Sequence, residues 1–176
     1  SCIHRVYLYL NRLHQITGKP KDYAPAAYRL AWMKEHEREL FKTVSIFCDV
    51  QAYLVNKLTG SFKTSWASAD PLGLFDLEKK EWSPEILGKL EIGPDQLPVP
   101  ACPGTILGYV TGAASELTGL RTGIPVVAGG GDGQAAGLGV NALTPSRAYL
   151  NLGTAVVSGT YIKDFAIDKA FRTMAA

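Results

Sequence analysis

The chain has little of what marks disulfide, metal or membrane chemistry. Its three cysteines, Cys2, Cys48 and Cys102, are far apart, and no C-x-x-C occurs. That excludes a disulfide framework and predicts buried or incidental free thiols in a reducing, cytoplasmic compartment. The three histidines, His4, His14 and His36, lack metal-ligand spacing, so no structural metal site is expected. No run of about 18 apolar residues occurs, and no membrane partner is expected. Charge of either sign is not in excess: 18 basic residues face 16 acidic ones, for a formal net charge of +2. That balance argues against a nucleic-acid partner. Repeats and low-complexity segments are absent. The opening stretch is broken by Arg5, Asn11 and Arg12, which makes a poor signal peptide.

What is there suits a soluble α/β chain. With 176 residues, 47% of them hydrophobic, a core can be buried. Ile3, Val6, Tyr7, Leu10 and Leu13 follow helical spacing, stopped by "TGKP". A second helix is predicted from near Pro25 through Leu40 and Phe41, and a third over 46–58 ended by "TG". Residues 61–83 read as irregular, with a hairpin or two short extended pieces. "SPEILGKL" is a helix capped by Ser83 with Pro84 at its first position. "GPDQLPVPACPG" reads as a connector. A strand "TILGYVT", a helix "AASELTGL", a buried strand "PVVAGGG" and a helix "GQAAGLGVNA" follow. "RAYLNLGTAVVSGTYI" alternates as strand, turn, strand, and "DKAFRTMAA" starts another helical pattern. Both ends read as cut from something longer. A boundary falls near residues 141–147.

The stretch "VVAGGGDGQAAGLG" carries the chemistry. Gly131-x-Gly133-x-x-Ala136 fits a dinucleotide-binding glycine turn. That turn calls for an acid about 20 residues further on, and "NLGTAVVSG" offers none. A second reading starts from Asp132, at the C-terminal end of a strand, where α/β folds place their chemistry. Gly131 and Gly133 leave room for a substrate to approach, and one such carboxylate suits a general base. A third makes Asp132 a simple helix cap. About 20 residues on, Gly153-Thr154 offers backbone N–H groups and a hydroxyl at a turn, which suits a phosphate.

Taken in order, these segments resemble the FGGY carbohydrate kinases, which include xylulokinases, ribulokinases and glycerol kinases. "AGGGDGQAAGLG" resembles the family pattern G-x-G-D-x-x-x-A-x-x-G, and Leu152-Gly153-Thr154-Ala155 its phosphate turn. "RLAWMKEH", "LVNKLTGSFKT" and "LFDLEKKEWSPEIL" resemble three upstream family segments, collinear over residues 17–160. The resemblance implies a ribonuclease-H-like fold, as in actin and hexokinase, in two domains closing over a cleft. Residues 1–145 would be the C-terminal part of the first, substrate-side domain. Residues 146–176 would begin the second, nucleotide-binding domain. It implies ATP-dependent phosphorylation of a hydroxyl of a sugar, pentulose-like, or of a polyol, with Mg²⁺. Asp132 would be the base, and Gly153 and Thr154 would contact the nucleotide phosphates.

The chain also departs from the pattern. The family's first phosphate loop, D-x-G-T-T/S, and its sugar-binding segment are absent, so the chain is expected to be an internal fragment, inactive alone. Missing strands would leave exposed sheet edges, which favours a homo-oligomer. Ser65 stands where the family's T-D-x-S carries an acid. Gly133 follows Asp132 where glycerol-type members have Gln, which argues against glycerol. Two alternatives stay open: a nucleotide-binding oxidoreductase, and a non-catalytic domain that keeps the kinase fold. Trp32, Trp66 and Trp82 are expected to pack, Glu35, Glu37 and Glu39 to face solvent, and Asp49 and Asp76 to cap or turn.

Overall fold

Helices begin and end where capping chemistry stands. A computed structural model of the chain describes residues 12–19, 24–154, 156–168 and 171–175. The predicted first helix falls mostly outside them; its described part is α1, Leu13–Thr17, closed by Gly18 in the left-handed conformation. The long second helix is instead two, α2 (Ala26–His36) and α3 (Arg38–Thr43), because Glu37 leaves helical geometry. The break turns Phe41 inward, onto Phe47, with ring centroids 4.9 Å apart. α4 spans Val50–Thr59 and starts later than expected, because Asp49 accepts from the Ala52 N–H and Gly60 closes the far end.

Next come β1 (Lys63–Ser65), a short α5 (Trp66–Ala69) and a 3₁₀ turn, Asp70–Leu72. β2 (Phe75–Asp76) and β3 (Glu81–Trp82) form the expected hairpin, where Asp76 accepts from the N–H groups of Glu78 and Lys79. α6 (Pro84–Leu90) has Ser83 as its cap and Pro84 at its first position. The Pro-rich connector contains β4, Val99–Ala101, which pairs in parallel with β1. Proline disguised it, since a strand with one free edge tolerates the missing donor. β5 (Ile106–Tyr109), α7 (Gly112–Thr118), β6 (Pro125–Val127), α8 (Asp132–Gly139), β7 (Ala148–Leu152) and β8 (Val156–Thr160) complete the order.

The architecture is α/β, with four two-stranded ladders among the described residues. The main core gathers α1, α2, α3, the β2–β3 hairpin and α6 around Leu13, Phe75, Leu77, Trp82 and Ile86. Trp82 donates its indole N–H to the Pro98 carbonyl at 2.8 Å and meets Phe75 edge-on. Trp66 packs partly against this core. Trp32 does not; it lies 44% exposed, stacked on His36. Glu35, Glu37 and Glu39 are exposed, as expected. A smaller core joins Val55 of α4 to Leu107 of β5 and Ala128.

β5 and β6 pair antiparallel, and only one of their faces meets α4. Ile106 opposite Val127, and Tyr109 opposite Pro125, are all exposed. β6 is therefore not the buried strand its composition suggested. Cys48 and Cys102 are free and exposed rather than buried, while Cys2 lies outside the described residues. No described helix is long and apolar enough to cross a membrane.

The described part of the terminal segment, residues 171–175, is not helical either. Residues 172–175 run back across the main core, with Asp168 and Phe171 forming an isolated bridge before them. Their backbone groups bind elsewhere. The Thr173 carbonyl accepts from the Lys19 ammonium at 2.5 Å, and the Ala175 N–H donates to the Asp70 carboxylate at 3.1 Å. Lys19 and Asp70 form an ion pair with side chains 2% and 1% exposed. Burial is the larger influence on both groups: it pushes the Asp70 carboxyl above its ordinary range and the Lys19 ammonium below its own. The attraction within the pair opposes each displacement.

A buried pair is costly to break from one side. Lys19→Met is expected to lower unfolding stability by about 3–5 kcal/mol, because Asp70 is left unpaired. The double variant Lys19→Met/Asp70→Leu should recover most of that loss in urea denaturation.

Candidate active site

Asp132 is the first residue of α8, and Gly131 precedes it as the capping position in an extended conformation. The carboxylate is therefore one residue inside the helix and is not its cap. Its Oδ1 accepts from the Gly133 N–H at 2.7 Å, and the residue is exposed. A negative charge in a first helical turn is favoured by the unpaired N–H groups there. The carboxylate thus accepts one backbone bond within the first turn of α8 and remains open to solvent.

The flanking glycines do different things. A side chain at Gly131 would meet only the end of the Gln134 side chain, a flexible neighbour. At Gly133 it would point toward Met174 and the Tyr149 hydroxyl, at 3.5 and 3.8 Å, which is ordinary contact. The Cβ direction at Gly133 thus faces Met174 and Tyr149. Gln134 donates to the Ala175 carbonyl at 2.7 Å, which ties α8 to the returning terminal segment.

Tyr149 of β7 links α8 to the β7–β8 hairpin. Its ring lies 3.5 Å from the position a side chain would take at Gly137, and its hydroxyl makes a long bond to the Gly133 carbonyl at 3.4 Å. On the other side the ring covers Gly159, where an added Cβ would lie 2.6 Å from Cε1. The small residues of α8 and Gly159 together make the slot for this one ring. Nothing in the local spacing signals the slot, because its walls come from two separate elements, α8 and β8.

Gly153 and Thr154 lie in the hairpin connection between Leu152 and Val156, both exposed. They stand four and five positions beyond Tyr149, roughly 13–17 Å further along the strand. The structure therefore joins Asp132 to the base of the hairpin and Gly153-Thr154 to its tip. Two surface cavities, of about 340 and 110 Å³, lie away from Asp132, against α6 and between α2 and Leu74.

The glycine loop is also held from below. The Ser65 hydroxyl donates to the Gly129 carbonyl at 2.5 Å. The Ser65 N–H donates to Gln51 Oε1 at 2.9 Å, and the Thr64 hydroxyl to Asp49 Oδ2 at 2.7 Å. Asp49 thus caps α4 and anchors β1 at once.

The family model for the FGGY family of carbohydrate kinases, N-terminal domain, matches residues 2–139. The chain belongs to the FGGY family of carbohydrate kinases. It is 32% identical over 151 residues to the autoinducer-2 kinase of Escherichia coli strain SMS-3-5, covering 86% of this chain and 27% of that protein. The solved xylulose kinase of Lactobacillus acidophilus superposes with a TM-score of 0.86 at 26% identity, over 96% of this chain and 36% of its own. The xylulose kinase of Rhodospirillum rubrum gives 0.80 at 25%, over 89% and 33%. The chain thus spans about a quarter of the curated relative and a third of the solved kinases.

Membership in the FGGY family carries the ribonuclease-H-like fold and disfavours the dinucleotide reading. The geometry agrees, because β6 pairs antiparallel with β5 while β7 pairs with β8. A dinucleotide turn needs its helix to connect two parallel neighbours.

The Tyr149 slot makes a direct prediction. Gly159→Ala should push the ring off α8 and cost about 1–3 kcal/mol in chemical denaturation. Tyr149→Phe removes only the long hydroxyl bond and should cost about 1 kcal/mol or less.

Proposed function

We propose that the protein carrying this chain transfers the γ-phosphoryl group of ATP to a hydroxyl of a sugar, pentulose-like, or a polyol. The observation that carries this reading is Asp132: an exposed carboxylate that opens α8, fixed by the Gly133 N–H, in a chain of the FGGY family. Asp132 accepts the proton of the attacking hydroxyl. Phosphoryl transfer asks for positioning, charge neutralisation and one group that orients the nucleophile, and a single carboxylate suffices for the last. Relatives named for xylulose and for autoinducer-2 support a small polyhydroxylated acceptor.

In this reading residues 1–145 belong to the substrate-side domain and 146–176 open the nucleotide-binding one, with Thr173 and Ala175 packed back on the first. The exposed Gly153-Thr154 turn presents N–H groups and one hydroxyl to the phosphates. Among the described residues no group of three or more His, Cys, Asp or Glu is placed to hold a metal. Mg²⁺ would enter bound to the triphosphate, where it neutralises phosphate charge. A cytoplasmic location follows from where ATP is available. The chain alone supplies the base and one phosphate turn, and we expect it to be inactive without the remainder of the kinase.

In a coupled assay with ATP and a panel of pentuloses and polyols, the protein carrying this chain should phosphorylate one of them. Asp132→Asn should lower kcat by roughly 10²–10⁴-fold, with thermal stability nearly unchanged. Full turnover by Asp132→Asn would overturn the assignment of the base. A wild-type protein inert toward the whole panel would favour a non-catalytic role for the fold.

A further inference from the structure

We propose that Ser65 is a positioning residue, a clamp that sets the path of the glycine loop entering Asp132. The proposal rests on the reading of Asp132 as the base. Gly129 is the point where β6 gives way to that loop, three residues before the carboxylate. Gly129 is an exposed residue, yet its carbonyl accepts from the hydroxyl of Ser65, a residue 0% exposed at the end of β1. The Ser65 backbone is itself fixed, since its N–H donates to Gln51 Oε1 at 2.9 Å. The Gln51 amide nitrogen lies 3.6 Å from the place a side chain would take at Gly129. Thr64, next door, is anchored on Asp49. Thus α4, β1 and the glycine loop meet at one hydroxyl. β1 and β6 belong to different ladders, so this bond crosses between them without a strand pairing.

The chemistry of the position is specific. Ser65 Oγ accepts from the Ala67 N–H at 3.1 Å, capping α5, while donating its proton to Gly129. A hydroxyl does both at once. An ionised carboxylate, which the family pattern carries here, can cap but has no proton to give and would repel the carbonyl. Ser65→Asp therefore separates the two roles, and Ser65→Thr preserves both. Without the clamp the loop regains freedom, and Asp132 spends less time aligned with the attacking hydroxyl. Alignment losses of this kind fall on kcat, and small displacements cost on the order of tenfold to a hundredfold.

Two measurements test the clamp. In the full kinase with glycine-selective ¹⁵N labelling, relaxation order parameters of Gly130 and Gly131 should fall from rigid to flexible values in Ser65→Asp and stay rigid in Ser65→Thr. In the full kinase, Ser65→Asp should lower kcat about tenfold or more with the KM for ATP unchanged, and Ser65→Thr should restore it. Unchanged order parameters in a folded Ser65→Asp overturn the clamp. So does a Ser65→Thr variant as impaired as Ser65→Asp. Should Ser65→Asp fail to fold, Ser65→Ala, which removes the donated proton and the cap together, serves for both readings against Ser65→Thr. An inert wild type with a loosened loop in Ser65→Asp would reject the kinase reading and keep the clamp.

Discussion

A buried ammonium and a buried carboxylate hold the three distant parts of this chain together. Lys19 follows the left-handed turn that ends α1, and Asp70 opens the 3₁₀ turn after α5. Thr173 and Ala175 arrive from the far end and bind one member each. The same Ala175 accepts from Gln134 in the first turn of α8, next to Asp132. The proposed base is therefore linked in a few bonds to the deepest charged groups of the main core. Such a pair adds little stability over an apolar substitute, but it specifies which segments must meet.

Around that anchor the molecule is built in two kinds of contact. The main core is apolar and locally assembled, with Phe75, Leu77, Trp82 and Ile86 drawn from residues 75–86. The region of Asp132 is held by polar bonds and by one aromatic ring in a slot of glycines. The first kind gives bulk stability. The second gives placement, since hydrogen bonds are directional and a ring in a slot admits few positions.

That division explains what could be read in advance. Ser83 and Pro84 at the start of α6, Gly60 at the end of α4 and the β7–β8 hairpin follow from residues within a few positions of one another, and all were legible. The break at Glu37 was not, because it depends on Phe41 reaching Phe47. Nor was β4, where Pro100 hides a strand that needs β1 beside it. The terminal helical pattern failed for a related reason: the Thr173 carbonyl and the Ala175 N–H bind Lys19 and Asp70, which lie far away in sequence. Of the site, the Asp132 motif was visible as a motif. Ser65 on Gly129, 64 residues apart, and Tyr149 against Gly159 and α8 carry no local mark.

The composition of α8 has a dynamic consequence. Three of its eight residues, Gly133, Gly137 and Gly139, are glycines, each costing a helix about 1 kcal/mol relative to alanine. Such a segment has almost no helical preference of its own. Its order is supplied from outside, by Tyr149 and by Gln134 on Ala175. α8 should therefore sit at the low end of the local unfolding scale and open as a unit when the hairpin lifts away. Helicity at Asp132 then becomes a readout of hairpin docking, so that the carboxylate is aligned only while the two halves of the structure touch.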